Sequence, residues 1–298
     1  MRKPDFFIVG APKCGTTALY RCLEAHPQIF VPERKELHHF GTDLYSPTYV
    51  RDLDQYLALF AGAREEKSVG EASVWYLFSK RAAAEIKTFC PQARVIIMLR
   101  NPVDMLYSLH SQHLYNGTEE IQDFASALAA EEDRKRGRRL PNGVLAVERL
   151  YYREVAKYTD QVDRYLKAFR SENVKIIIHD DFKRDPAGSC RETFEFLNVD
   201  PNVAPAIRVV NPNKQLRSRT AQSVLNQPPS LLSKLVKPLT TPALRHRLFA
   251  RAQQLNTSYK ARPPLPRELR QQLQREFAPE VERLSTLLAK DLSQWSQA

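Results

Sequence analysis

Short apolar runs, each followed by a polar turn and then by apolar positions three or four apart, recur along this chain. Residues 5–10 (DFFIVG) make the first run, and Arg94–Leu99 (RVIIML) and Val174–Ile178 (VKIII) repeat it. Runs so short and so apolar predict strands buried on both faces of a parallel sheet. The intervening spacing predicts helices over 16–26, stopped by His26-Pro27, over 52–61, near 103–114, over 146–169 and over 187–197. Glu71–Leu77 reads as a further strand leading into a helix near 79–89. Leu269, Leu273, Phe277, Val281, Leu284 and Leu288 predict a C-terminal helix within 267–298. Strands alternating with helices imply an α/β fold, a three-layer domain with a central parallel sheet flanked by helices. A length of 298 residues fits one such domain. Residues 116–143 are charged and interrupted by Gly137 and Pro141-Asn142-Gly143, which predicts an exposed insertion. No internal repeat is evident.

The turn after the first strand carries the strongest chemical signal. Gly10-Ala11-Pro12-Lys13-Cys14-Gly15-Thr16-Thr17-Ala18 joins a strand to a helix N-terminus, where backbone N–H groups and the helix dipole favour an anion. In the GxxxxGK[ST] phosphate loop, the lysine follows the second glycine and a Ser/Thr then binds Mg²⁺. Here Lys13 precedes Gly15 by two residues, so the loop keeps a phosphate grip without the ATPase arrangement of lysine and metal ligand. Cys14 fits a tight turn as a small residue better than it fits a catalytic thiol.

Charge sharpens this picture. The net charge is +11, and Pro201–Arg267 holds twelve basic residues and no acidic one. Such a block predicts an anion-facing surface; prolines within it suggest an irregular basic cap over 201–267. Basic amphipathic stretches within 226–262 also suit peripheral contact with a membrane. Nothing resembles a nucleic-acid reader motif. Four cysteines without CxxC or zinc spacing, and no signal-type or membrane-spanning apolar run, lead to the expectation of reduced thiols in a cytoplasmic protein. Oligomeric state is not legible.

Two further segments carry candidate chemistry. Arg100 emerges where the 94–99 strand ends, and Ser108 follows on the next helix; together they can hold a second phosphate by charge-assisted bonds. Taken alone, Arg100 is equally well read as capping a helix or pairing with Asp104. Arg34-Lys35-Glu36-Leu37-His38-His39-Phe40 places a carboxylate and two imidazoles within four residues, enough for a general base, Glu36, oriented by His38. In isolation that segment also reads as a solvated loop.

Taken together, GAPKCGTTALYRCL, KELHHF, GEAS with Tyr76-Leu77, IIMLRNPVDMLYS, the tyrosine-rich 151–165 segment, IIHDDFKRDP and LLAKDLSQW resemble the sulfotransferase family, in particular its bacterial and carbohydrate-type members. The likeness covers residues 5 to about 200 and again 267–295. It implies a P-loop-like domain that uses 3′-phosphoadenosine 5′-phosphosulfate (PAPS) as co-substrate, releases PAP and needs no metal. By the same resemblance Lys13, Cys14, Gly15, Thr16, Thr17 and Ala18 hold the 5′-phosphosulfate, with Lys13 also catalytic. Arg100 and Ser108 hold the 3′-phosphate, Glu36 stands at the catalytic glutamate, and His38 matches a histidine found two residues on. The sequence departs from the family at Glu71–Tyr76, which lacks the histidine base of the steroid/phenol branch, and at Ala72, where some members carry a lysine. The RKG-type loop is also missing, leaving Arg217 and Arg219 as candidates for its role. A raised carboxyl pKa, from desolvation beside Phe40, is expected for Glu36. The acceptor is expected to bear a hydroxyl, anionic acceptors included. Two other classes remain open on sequence grounds: a P-loop kinase or NTPase, and a non-catalytic binder of anionic polymer or membrane.

Overall fold

Five strands form one parallel sheet in the order β2-β3-β1-β4-β5: β1 Phe6–Gly10, β2 Ile29–Phe30, β3 Ser68–Ala72, β4 Arg94–Leu99 and β5 Val174–Ile178. The computed structural model describes residues 2–204, 214–216, 251–252, 255–259 and 262–297. Every residue of β1 is buried, as its unbroken apolar run requires of a central strand. β1 pairs with β3 through Phe6↔Gly70 and with β4 through Phe6↔Arg94. A Cβ at Gly70 would overlap the Phe6 ring, so the neighbouring strand admits only glycine there. β4 and β5 stay in register from Val95↔Val174 to Leu99↔Ile178.

The helices are α1 Thr16–Glu24, α2 Leu53–Ala58, α3 Ala82–Phe89, α4 Pro102–Asn116, α5 Phe124–Ala129, α6 Glu131–Lys135, α7 Tyr152–Val155, α8 Tyr158–Ala168, α9 His179–Arg184, α10 Pro186–Phe196 and α11 Arg267–Leu288. α1 packs on α10, α8 on α3 and α11, and α11 on α4. Leu273, Phe277, Val281 and Leu284 are the buried stripe of α11, as their spacing predicts. A short antiparallel pair, β6 Lys214–Leu216 and β7 Thr257–Tyr259, lies against α4. Among the described residues no helix is long and apolar enough to cross a membrane.

Several expectations need correction. The strand expected over 71–77 is β3, three residues earlier; Ser68, Gly70 and Glu71 are buried there although none is a strong strand former. The single helix expected over 146–169 is a 3₁₀ turn, Val147–Leu150, followed by α7 and α8. α8 can start afresh because the Glu280 carboxylate on α11 accepts the Thr159 N–H at 2.7 Å. Residues 116–143 are not simply exposed: Phe124 and Leu128 are buried, and Arg134 and Glu119 form a fully buried ion pair at 2.7 Å. Cys22 on α1 and Cys190 on α10, 168 residues apart, are paired as a disulfide, while Cys14 and Cys90 are free thiols. Sequence spacing gives no hint of so distant a pair. Most of the 201–267 block, with Arg217 and Arg219, lies outside the described residues.

Candidate active site

All five strands run the same way, so the loops after β1, β3, β4 and β5 gather at one sheet edge, where open α/β sheets bind ligands. A cleft of about 970 Å³ opens there. Lys13, Gly15, Thr16 and Thr17 line it after β1, Val74 and Trp75 after β3, Arg100 after β4 and His179 after β5. The chain also brings Glu36, His38 and Ser108 to the same cleft.

At one end the β1–α1 loop meets α4. Gly15 is the N-cap of α1 at φ +95°, a conformation open to glycine, and no side chain caps that helix. Its first-turn N–H groups therefore face the cleft without a side-chain competitor. Lys13 also holds a left-handed φ, +61°, and its Nζ donates to Gln112 Oε1 at 3.0 Å. Arg100 donates to the Lys13 carbonyl at 3.4 Å. Asp104, the alternative partner for Arg100, pairs with Arg270 at 2.8 Å. Ser108 and Ser111 accept from Arg262 at 3.2 and 2.7 Å, and the Arg262 guanidinium lies over the Tyr107 ring. Burial, and then the like charge of Arg100, pull Arg262 below its ordinary range. Two guanidiniums drawn together at the end of β4 suit a multiply charged anion.

At the other end stands the loop that follows β2. The Glu36 N–H donates to the Ala72 carbonyl at 2.9 Å and the His38 N–H to Ser73 Oγ at 3.0 Å. These bonds to the end of β3 hold Glu36 and His38 at φ +65° and +50°. Such left-handed values in non-glycine residues concentrate at functional sites. Glu36 Oε2 accepts from the Val74 N–H at 3.0 Å and lies 3.1 Å from His38 Nε2, while Lys35 pairs with Oε1. Burial pushes the Glu36 carboxyl up, but the Lys35 ammonium and His38 outweigh it and hold it at about 2. The expected rise is thus reversed. Phe40 packs with Phe7, Tyr56, Tyr76 and Phe89 in the core, and it is Lys35 that dominates the surroundings of Glu36. Burial lowers the His38 pKa, against the pull of Glu36. Behind this loop the buried Glu71 carboxylate accepts from Ser73 Oγ at 2.7 Å and from Tyr56 and Tyr76, each at 2.8 Å.

Two predicted residues do not reach the cleft with their side chains. The Cys14 Sγ is fully buried, donates to the Pro12 carbonyl at 3.4 Å, and burial pushes its pKa up to about 12, which excludes a thiolate nucleophile. Ala18 packs against the core, and its N–H is already bonded to the Gly15 carbonyl at 2.9 Å. Sequence reasoning missed Gln112, Arg149 and Arg262, which line the cleft. Only the helical offset of Gln112 from Ser108, one turn along, was there to be seen.

The model of the sulfotransferase domain family matches residues 3–285. Carbohydrate sulfotransferase 15 of Mus musculus is 26% identical over 253 residues, covering 66% of this chain and 44% of that protein. The human bifunctional heparan sulfate N-deacetylase/N-sulfotransferase 3 is 28% identical over 210 residues, covering 67% of this chain and 23% of that protein. The chain thus spans less than half the length of these curated relatives. The crystal structure of a sulfotransferase from Alicyclobacillus acidocaldarius matches with a TM-score of 0.75 and 32% identity, over 100% of both chains.

Proposed function

We propose that this chain, which belongs to the sulfotransferase domain family, moves a sulfo group from PAPS to a hydroxyl of an acceptor of carbohydrate type. One observation carries the reading: a single cleft is lined both by an uncapped helix N-terminus with its lysine and by a held carboxylate, Glu36. The donor set fits PAPS in its chemistry. The Lys13–Thr17 loop suits a phosphosulfate without metal, and Arg100, Arg262 and Ser108 suit a separate phosphate. PAPS, when bound, supplies a sulfo group attached to a phosphate leaving group.

The chain's own residues then divide the work. Lys13 and the first-turn N–H groups of α1 stabilise negative charge that grows on the leaving oxygen. Glu36, ionised at neutral pH, takes the proton of the acceptor hydroxyl. His38 Nε2–H and the Val74 N–H fix Glu36 Oε2, so one carboxylate oxygen is aimed and the other exchanges Lys35 for the acceptor. Arg262, bonded to Ser108 Oγ at 3.2 Å, is a further cation for the separate phosphate, beside Arg100. The family match does not favour the kinase or the non-catalytic reading. Thermal shift with PAP against ATP–Mg²⁺, followed by incubation with labelled PAPS and carbohydrate acceptor pools, tests the proposal. Stabilisation by ATP–Mg²⁺ but not by PAP would defeat it.

A further inference from the structure

Arg149 sits on the 3₁₀ turn Val147–Leu150 and lines the cleft. Its guanidinium lies over two rings, 5.0 Å from the Trp75 centroid and 5.3 Å from that of Tyr49. Two such cation–π contacts restrain the side chain without using its N–H groups. Yet Nε and Nη2 are buried and have no hydrogen-bond partner among the described residues. Glu36 gives them no hydrogen bond: its oxygens are held by Lys35, His38 and the Val74 N–H, and it reaches Arg149 only as a nearby charge. Arg51, by contrast, donates to the carbonyls of His39, Phe40, Gly41 and Leu44; Arg134 and Arg164 also keep buried nitrogens without a partner among the described residues, but neither lines the cleft. The Tyr49 hydroxyl is a second buried donor without a partner among the described residues. The Tyr49 ring packs against His38 at a tilt of 39°, with centroids 4.5 Å apart, which puts this pair one ring away from the Glu36 contact.

Guanidinium nitrogens and a hydroxyl that are buried without acceptors are costly, and an incoming oxyanion removes the cost of both. We propose that Arg149 and the Tyr49 hydroxyl form an oxyanion subsite in the acceptor half of the cleft. The acceptor then carries a carboxylate or a sulfate close to the hydroxyl that Glu36 deprotonates. This rests on the transferase reading only in calling the ligand the acceptor.

Calorimetry with methyl glucoside, methyl glucuronide and methyl glucoside 6-sulfate tests the subsite, in the presence and absence of PAP. Wild-type protein binds one or both anionic probes about 10- to 100-fold more tightly than the neutral sugar, the worth of a charge-assisted hydrogen bond. Arg149→Met, which keeps the length and apolar stacking of the side chain, loses that preference and keeps PAP binding. Arg149→Lys retains part of it, which separates lost charge from lost fold. A gain for the glucuronide alone identifies the carboxylate, and for the 6-sulfate alone the sulfate. Equal binding of all three probes by the wild type, no binding of either anion, or an undiminished preference in Arg149→Met overturns the proposal. Failure of PAP to bind defeats the donor reading alone, since the anion preference and its loss are read without PAP.

Discussion

Two opposed influences meet at Glu36. Burial works against its charge, and Lys35 with His38 restores that charge, so the carboxylate is ionised at every working pH but is a weak base at rest. Its basicity must rise when the acceptor displaces Lys35 from Oε1. Glu36→Gln is therefore expected to cut kcat by ~10²–10⁴, the usual worth of a general base, with PAP affinity unchanged by calorimetry. Lys35→Ala removes the strongest influence that lowers the Glu36 pKa. The acid limb of kcat/KM, below the measurable range in the wild type, should move up by roughly one pH unit or more, as for loss of a close opposite charge. An unmoved acid limb would show that another group sets it. Lys13, Glu36 and His38 were legible because each belongs to a short local motif. Arg149 and Arg262 were not, because their partners Tyr49, Trp75, Ser108 and Ser111 lie between 74 and 154 residues away in sequence.

The end of β3 supports the loop of Glu36 and His38 through a chain of bonds, from His38 N–H to Ser73 Oγ and from Ser73 to Glu71. Ser73→Ala breaks that chain without touching the cleft lining and should lower kcat more than it weakens PAP binding. Steady-state kinetics beside PAP titration check this, and equal losses in both would mean a general loss of structure. Glu71 has its own signature. Burial raises its pKa to about 7 against the three hydroxyl donors, from an ordinary 4.5. Between those values the folded state keeps a proton that the unfolded chain has released, so stability falls as pH rises through this window. By the rule of 1.36 kcal/mol per pH unit the loss is about 3 kcal/mol at most. Glu71→Gln should flatten the melting temperature between pH 4.5 and 7, measured by calorimetry; an unchanged slope would refute the assignment. The same strand marks the limit of what the sequence made legible among elements. β1, β4 and β5 announced themselves as apolar runs, whereas β3 hides a glycine and a glutamate whose places are set by Phe6 and by two tyrosines. Likewise the break before α8 depends on Glu280 from α11, which no local window contains.

At the scale of the whole molecule, one end of the cleft joins Arg100 at the end of β4 to Arg262 in the segment that leads into α11. Without a ligand these like charges repel, which adds to burial in lowering the pKa of Arg262. A bound anion turns the repulsion into a clamp, so binding and folding are linked across the 162 residues that separate them (262 − 100). PAP at a hundredfold its Kd should stabilise the fold by about 2.7 kcal/mol, read as a rise in melting temperature. Removal of either arginine should cost the two states unequally. The apo protein of Arg100→Ala or Arg262→Ala should melt only slightly below the wild type, because relief of the repulsion offsets the lost bonds to Lys13 or to Ser108 and Ser111. The PAP-bound form should lose most of its gain, with affinity down about 10- to 100-fold for each charge-assisted contact. The double variant should lose less than the sum, since the two guanidiniums act on one group. Scanning fluorimetry on the four proteins with and without PAP measures all of these terms. Strict additivity of the two losses, or an Arg262→Ala protein that binds PAP like the wild type, would place Arg262 outside the phosphate site and leave it as a support for Ser108 and Ser111.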